Sequence, residues 1–76
     1  MKIKILGSGC AKCRTLENNT RTAVKELNLD AEIIKITDVN QITDYGVMMT
    51  PAIVVDEKVL SYGKVLSPAD IKALLN

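Results

Sequence analysis

Two cysteines, Cys10 and Cys13, stand between two segments of different periodicity. Before them, residues 2–6 (KIKIL) alternate polar and apolar side chains, which predicts a half-buried strand. After them, residues 14–28 carry apolar side chains every three or four positions, which predicts a helix. A helix N-terminus has unpaired N–H groups and a partial positive charge, and it lowers the pKa of a nearby thiol. The pattern therefore predicts a Cys-x-x-Cys pair at a strand-to-helix turn, where a thiolate is favoured.

Length and composition narrow the class of protein. The 76 residues fit one domain, which we expect to span residues 1–76. The net charge is +1 with dispersed basic residues, so we expect no nucleic-acid partner. No apolar run is long enough for a signal peptide or a membrane span, so we expect a cytoplasmic protein with no membrane partner. We also expect the protein to be a monomer. The chain has no His, which excludes Cys–His catalysis and imidazole metal ligands.

The rest of the chain alternates between strand-like and helix-like patterns, which predicts an α/β fold in the order β-α-β-α-β-β-α. The predicted segments after the first helix are a strand at 31–36, a short helix from Thr37 or Asp38 to Gly46, strands at 52–55 and 59–62, and a final helix. Ser67 is the expected N-cap of that final helix, with Pro68 at its first position and Asp70 at its third. Val39, Ile42 and Tyr45 are expected on the inner face of the short helix, and Ile71, Leu74 and Leu75 on that of the last.

The first helix is expected to have one buried and one solvated face. The buried stripe is predicted to comprise Cys13, Leu16, Thr20, Ala23, Val24 and Leu27. Cys13 therefore begins the buried stripe, whereas Cys10 is expected at the helix end and nearer to solvent. Glu17, Arg21 and Lys25 follow one another at four-residue spacing and are expected on the solvated face.

Two thiols at this spacing can cycle between dithiol and disulfide, bind a soft metal ion, or take no part in chemistry. In a redox cycle Cys10 would attack a substrate disulfide, and Cys13 would then attack the mixed disulfide and release the reduced product. Lys12 would either stabilise the Cys10 thiolate or remain a solvated side chain, and the sequence leaves both open. A disulfide between the two cysteines closes too short a loop to stabilise the fold strongly, which argues against a purely structural bond.

A second feature is Thr50-Pro51, which precedes the apolar segment 52–55. A proline at the start of a strand removes a hydrogen-bond donor and fixes the chain direction. The residue types alone leave open whether the Thr50–Pro51 bond is cis or trans. Met48, Met49 and Tyr62 either form a client-binding surface or fill gaps, and we expect at least one of the two methionines in the core.

These motifs together resemble the thioredoxin superfamily, and most closely its small, glutaredoxin-sized redox-active disulfide proteins. The resemblance rests on Gly-Ser-Gly-Cys-Ala-Lys-Cys at 7–13, on Gly-Val-Met-Met-Thr-Pro-Ala-Ile-Val-Val at 46–55, and on Leu-Ser-Pro-Ala-Asp-Ile at 66–71. It covers essentially the whole chain. It implies a thioredoxin-like fold with a four-stranded mixed sheet flanked by three helices.

The resemblance also implies roles for individual residues. Cys10 would be the nucleophile and Cys13 the resolving thiol. Pro51 would follow a cis peptide bond and lie beside the disulfide, with Thr50 offering its backbone to the substrate. Together with Gly9 and Lys12, Thr50 and Pro51 are the expected substrate-binding residues, and we expect no cofactor and no metal ion.

The chain departs from typical thioredoxins at several positions. Gly9 stands where a Trp usually precedes the first cysteine, and Ala11-Lys12 replaces Gly-Pro between the cysteines. The first strands contain no obvious buried acid that could accept a proton. The chain also lacks the Pro-Tyr of many glutaredoxins, which argues against the use of glutathione.

The sequence therefore predicts a thiol–disulfide oxidoreductase that reduces client protein disulfides. A flavoprotein resembling thioredoxin reductase, or a small thiol, would supply its electrons. The alternative is a chaperone for soft metal ions such as Cu(I), in which the same two thiolates bind the ion. That type of domain ends in a strand, whereas this chain is predicted to end in a capped helix. A binding module with incidental cysteines is a third possibility.

Overall fold

The structure is a computed structural model that describes residues 1–9 and 11–75. Its elements are β1 (Lys2–Leu6), α1 (Ala11–Glu26), β2 (Glu32–Ile36), α2 (Val39–Asp44), β3 (Ala52–Val55), β4 (Lys58–Tyr62) and α3 (Pro68–Leu75). This order confirms the predicted α/β fold with the sequence β-α-β-α-β-β-α. Helix α1 begins at Ala11, which agrees with a helix start at the Cys-x-x-Cys motif, and it ends at Glu26, two residues before the end of the predicted segment.

The four strands form one mixed sheet in the order β2-β1-β3-β4. Strand β1 is parallel to β2, with Ile3 opposite Ile33, and antiparallel to β3, with Ile5 opposite Ile53. Strands β3 and β4 form an antiparallel hairpin. A parallel pair needs a crossover connection, which α1 supplies between β1 and β2. The predicted four-stranded mixed sheet is confirmed.

The helices cover both faces of the sheet, and each face has its own hydrophobic cluster. Under α1 and α3 the buried residues are Ile3, Ile5, Leu16, Ala23, Ile53 and Ile71. Under α2 they are Leu6, Ile42, Val47, Ala52 and Val54. Successive residues of β1 and β3 enter opposite clusters, because side chains of a strand alternate between the two faces of a sheet.

Local hydrogen bonds explain where the helices begin and end. Asp38 caps α2 by accepting from the backbone N–H of Asn40 at 2.8 Å and of Gln41 at 3.4 Å. At the start of α3, the Asp70 N–H donates to Ser67 Oγ at 3.2 Å, and the Ser67 N–H donates to Asp70 Oδ2 at 3.4 Å. Such reciprocal bonds satisfy backbone donors that have no partner within the helix. The predicted caps are therefore confirmed.

Helix α1 ends in a left-handed residue that is not glycine. Asn28 has a φ of 55°, and its N–H donates to the carbonyl of Lys25 at 3.1 Å. The next N–H, of Leu29, reaches back to the carbonyl of Val24 at 3.0 Å. This is the Schellman pattern of helix termination, in which Asn is the most frequent substitute for glycine.

The β3–β4 hairpin turns through Asp56 and Glu57, which have φ values of 48° and 70°. A two-residue turn with two positive φ values matches the twist of the hairpin, although glycine usually occupies it. Two contacts from β1 hold the turn. The Lys2 N–H donates to Asp56 Oδ1 at 3.1 Å, and the Lys4 ammonium donates to Glu57 Oε1 at 2.5 Å.

Lys4, Tyr45 and Glu57 form a charged cluster under α2. The Lys4 ammonium also donates to the Tyr45 hydroxyl at 2.6 Å. Bonding to Glu57 and then to Tyr45 raises the pKa of Lys4, and bonding to Lys4 lowers the pKa of Glu57. This cluster joins β1 to the end of α2 and to the hairpin turn.

Four of the predicted inward-facing residues lie at the surface instead. Met48 is 94% exposed and Met49 59%, so the prediction of a core role for at least one of them is wrong. Val39, the first residue of α2, and Leu74, near the end of α3, are also exposed. Short helices bury little more than one residue per turn, and here Ile42 and Ile71 are the fully packed ones.

Candidate active site

Cys13 lies in the first turn of α1 and is 5% exposed. The prediction that it begins the buried stripe of the helix is confirmed. Its sulfur packs against the backbone of Gly7, the residue that follows β1. A β-carbon built on Gly7 would overlap Cys13 Sγ and would lie 3.1 Å from Cys13 Cβ. Cys10 lies outside the described residues, so its position at the helix end and its role stay predictions.

Gly7 is a site residue that sequence reasoning missed. It is buried, and its N–H donates to the carbonyl of Ile36 at 2.9 Å, which continues the pairing of β1 with β2 beyond the strand end. Every other residue type would place a side-chain carbon where the Cys13 sulfur lies. The available signal was a glycine directly after a strand and three residues before the first cysteine of a Cys-x-x-Cys motif.

The loop before β3 completes this region. The Thr50–Pro51 peptide bond is cis, as the resemblance implied. Pro51 is buried, and its carbonyl accepts from the Gly63 N–H at 2.9 Å, which fixes the loop to the end of β4. Thr50 is exposed, and its Cβ lies 3.9 Å from the β-carbon position built on Gly7. Cys13 and Thr50 thus both lie close to the same point beside Gly7.

Gly9 and Lys12 are the remaining predicted site residues. Gly9 is exposed and has a φ of 83°, a left-handed conformation that favours glycine. Lys12 is exposed at the second position of α1. Both are accessible to a substrate at this end of the molecule, and their contact with substrate stays a prediction.

Glu17 is buried, which contradicts the prediction of a solvated position. It is 8% exposed, whereas Arg21 and Lys25 are exposed as expected. The prediction failed because Glu17 follows Cys13 by four residues and therefore shares its face of the helix. Charge alone predicts solvation, whereas the four-residue spacing after Cys13 indicates burial, and the structure follows the spacing.

Two cations hold the buried carboxylate. The Arg21 guanidinium donates to Glu17 Oε2 from Nη2 at 2.8 Å and from Nε at 3.1 Å. The Lys35 ammonium, from β2, lies 3.2 Å from Glu17 Oε1. The hydrogen bond from Arg21 holds the pKa of Glu17 below its ordinary value; burial acts in the opposite direction, and Lys35 lowers the pKa further. Glu17 is therefore ionised at neutral pH.

A small cavity of about 20 Å³ connects this ion pair with the thiol. Gly7, Gly9 and Cys13 line one part of it, and Glu17 and Lys35 line another. A volume of this size holds about one water molecule. The buried thiol is thus close to a charged cluster that the sequence did not predict.

Exposed apolar side chains flank the loop that carries Pro51. The segment that begins at Gly7 and leads from β1 into the Cys-x-x-Cys motif is called the cysteine loop. A surface groove of about 470 Å³ runs between the cysteine loop and α2 and is lined by residues that include Ser8, Val39, Met48 and Thr50. On the other side, Met49 and Tyr62 are exposed and line a second groove. The end of the molecule that carries Cys13 therefore presents an apolar surface.

Two kinds of feature are absent from the described part of the chain, residues 1–9 and 11–75. It contains no helix long and apolar enough to cross a membrane. Within the same residues, no three or more Asp, Glu, Cys or His side chains converge on a common point as metal ligands.

Comparison with known proteins agrees with this geometry. The whole chain, residues 1–76, matches the family described as thioredoxin domain. It is 46% identical over 76 residues to a thioredoxin of Methanothermobacter thermautotrophicus, covering 100% of this chain and 99% of that protein. It is 44% identical over 70 residues to a thioredoxin of Methanocaldococcus jannaschii, covering 92% of this chain and 80% of that protein. With a family match over its full length and two such relatives, the chain belongs to the thioredoxin domain family.

Proposed function

We propose that this protein is a thiol–disulfide oxidoreductase that reduces disulfides of client proteins with the Cys10/Cys13 pair. The observation that carries the proposal is the position of Cys13. It is buried in the first turn of α1 beside Gly7, and the exposed Thr50, which precedes the cis bond to Pro51, lies close to the same point beside Gly7. A shielded thiol beside an accessible backbone loop suits the resolving step of disulfide exchange.

Cys10 would begin the reaction. It directly precedes Ala11, the first residue of a 16-residue helix, where the helix dipole favours an anion. Its thiolate would attack one sulfur of the client disulfide. A bond forms between Cys10 sulfur and that client sulfur, and the other client sulfur leaves as a thiolate.

Cys13 would complete the reaction. After losing its proton to water, its sulfur attacks the Cys10 sulfur of the mixed disulfide. The Cys10–Cys13 disulfide forms, and the second client sulfur leaves as a thiolate. The client gains two electrons, and the protein is left oxidised by two.

The client chain would lie along the exposed end of the molecule. We assign contact with it to Gly9, Lys12 and Thr50, and we add the side chain of Met48, which is accessible beside Thr50. Pro51 was also a predicted contact, but its side chain is fully buried, so we propose that it positions Thr50 instead of touching the client. An apolar surface beside the reacting sulfur would bind the unfolded or loop segments that carry client disulfides.

The oxidised protein needs a reductant before the next cycle. A flavoprotein reductase or a small thiol would attack the Cys10–Cys13 disulfide and restore the dithiol. We propose the cytoplasm as the place of action, because thiols are kept reduced there and Cys pairs in that compartment serve redox or metal chemistry. We also propose that the chain acts as one domain and as a monomer.

The alternative of a soft-metal chaperone is not favoured. The chain matches the thioredoxin domain family over its whole length, and its last element is the helix α3 rather than a strand. Both findings agree with disulfide exchange as the use of the two thiols.

The test is reduction of insulin disulfides, followed as turbidity, with dithiothreitol as the electron source. Cys10→Ser is expected to reduce the rate to the background given by dithiothreitol alone, because the attacking sulfur is lost. Cys13→Ser that has been reduced and then freed of dithiothreitol is expected to accumulate a mixed disulfide with insulin, visible on a non-reducing gel, because no second thiol is present to resolve it. Thr22→Ser, a change on the exposed side of α1, is the matched control and should keep the full rate.

Two results would contradict the proposal. One is normal turnover by both cysteine variants, which would make the thiols dispensable. The other is tight uptake of one Cu(I) per chain by a protein without reductase activity, which would favour the metal chaperone.

A further inference from the structure

Glu17 is a buried carboxylate that the proposed redox steps leave unused. It lies one helical turn after Cys13, and residues four apart on a helix have Cβ atoms about 5–6 Å apart. Both side chains line the same small cavity. A carboxylate is rarely buried unless partners compensate the loss of water. A buried charge beside the thiol affects how readily Cys13 loses its proton.

Three charged groups face this cavity. Helix α1 contributes Glu17 and Arg14, and β2 contributes Lys35. The other elements around Cys13 contribute only uncharged residues, which are Ile5 and Gly7 from β1 and the turn after it, Gly9, Thr37, and Thr50 from the loop before β3. The thiol group of Cys10 also belongs to this stretch of sequence and titrates.

Solvent exposure decides which of these charges dominates at the Cys13 sulfur. The Glu17 side chain is 11% exposed, whereas those of its partners Arg21 and Lys35 are 55% and 58% exposed. Water screens exposed charges more strongly than buried ones. The carboxylate is therefore screened less than these two cations and less than the exposed Arg14, and a neighbouring negative charge disfavours a thiolate.

We propose that Glu17 and Lys35 together set the ionisation of the Cys13 thiol, with Glu17 opposing the thiolate and Lys35 favouring it. Both are positioning residues that act through Cys13. The consequence rests on the proposed function: the pair would fix the pH at which Cys13 loses its proton to water and attacks the mixed disulfide. A protonated Cys13 would also keep the reduced pair from carrying two adjacent negative charges.

The test measures the thiol directly and needs no client. In a Cys10→Ser background, Cys13 is the only thiol, and its titration is followed by the ultraviolet absorbance of the thiolate. Glu17→Gln is expected to lower the titration midpoint by about half to one pH unit, which is roughly three- to tenfold more thiolate below the midpoint. Lys35→Met is expected to raise the midpoint by about half a unit, because Glu17 then loses one compensating cation.

The opposite signs separate electrostatics from loosened packing. A merely structural role would let water reach the thiol in both variants and would move both midpoints in the same direction. Glu26→Gln is the matched control: it removes the same charge from the same helix, at a residue whose carboxylate pairs with Lys72 at 3.0 Å at the other end of α1. Its midpoint should equal that of the Cys10→Ser parent.

The proposal is overturned if Glu17→Gln titrates like Glu26→Gln, or if Glu17→Gln and Lys35→Met shift in the same direction. Far-ultraviolet circular dichroism checks that each variant is folded. Should Glu17→Gln fail to fold, Lys35→Met decides alone, because the exposed Lys35 side chain can be replaced without opening the core. Insulin reduction is measured separately, on the unchanged protein that keeps both cysteines. An unmoved midpoint in the Cys10→Ser series with normal insulin reduction by the unchanged protein refutes this proposal only, whereas a shifted midpoint without that insulin reduction refutes the proposed function only.

Discussion

Gly7 joins β1 to the cysteine loop at the point where the Cys13 sulfur approaches the backbone. The missing side chain at Gly7 is what allows this approach, since a β-carbon there would overlap Cys13 Sγ. We expect Gly7→Ala to destabilise the fold by about 1–3 kcal/mol, the usual cost of forcing an extra carbon into a packed region. Urea unfolding of the reduced protein measures this change.

A double-mutant cycle identifies the cause. Cys13→Ala removes the sulfur with which the new methyl group collides, so Gly7→Ala should cost clearly less in that background than in the unchanged protein. Equal costs in both backgrounds would mean that the conformation of Gly7, rather than the sulfur, requires glycine. The cycle thus measures how tightly the resolving thiol is held.

For single residues, the sequence predicted the position of a side chain on its own helix better than it predicted the contacts of that side chain with other elements. Cys13 on a buried stripe followed from helical spacing. The close contact with Gly7 did not follow, because it depends on how near α1 approaches the end of β1. The burial of Glu17 follows from its four-residue spacing after Cys13, but its pairing with Lys35 does not, because Lys35 is distant in sequence and reaches the carboxylate only once β2 pairs with β1.

At the scale of elements, Glu17 connects α1 to β2 through Lys35 and therefore contributes to stability in a pH-dependent way. Its pKa in the folded protein lies below the ordinary value of 4.5, chiefly because of the hydrogen bond from Arg21. The folded state thus binds this proton less readily than the unfolded state. The stabilisation is complete above the ordinary value and is lost as the pH falls through the lower folded pKa.

We expect Glu17→Gln to lower the free energy of unfolding at pH 7 by roughly 1 kcal/mol, because charge-assisted hydrogen bonds are lost. The difference in unfolding free energy between Glu17→Gln and the unchanged protein should narrow as the pH is lowered to about 3, because protonation of Glu17 then removes the same charge from the unchanged protein. Urea unfolding at the two pH values measures it. Glu26→Gln, which alters an exposed pair, should change little at either pH. A constant difference between pH 7 and pH 3 would contradict this account.

The ends of the helices and strands show which boundaries a local sequence pattern can predict and which it cannot. Ser67, Pro68 and Asp70 predicted the start of α3, because capping depends only on neighbouring residues. The β3–β4 turn carried a weaker signal, since Asp56 and Glu57 adopt conformations that usually require glycine. Contacts from β1 to both residues hold the turn, and contacts between distant segments are not readable from the turn sequence.

At the scale of the whole molecule, the buried thiol, the cis bond before Pro51 and the exposed Met48 lie at one end, which suits a site for protein clients rather than for small disulfides alone. We therefore expect Met48→Ser to raise the KM for insulin several-fold with little change in kcat, because apolar contact is lost while the thiols are untouched. Reduction of a small aromatic disulfide should be unaffected. Leu74→Ser removes an exposed apolar side chain from α3 and should change neither substrate. An equal loss with both substrates in Met48→Ser would instead indicate a disturbed cysteine loop, and the client surface would have to be sought elsewhere.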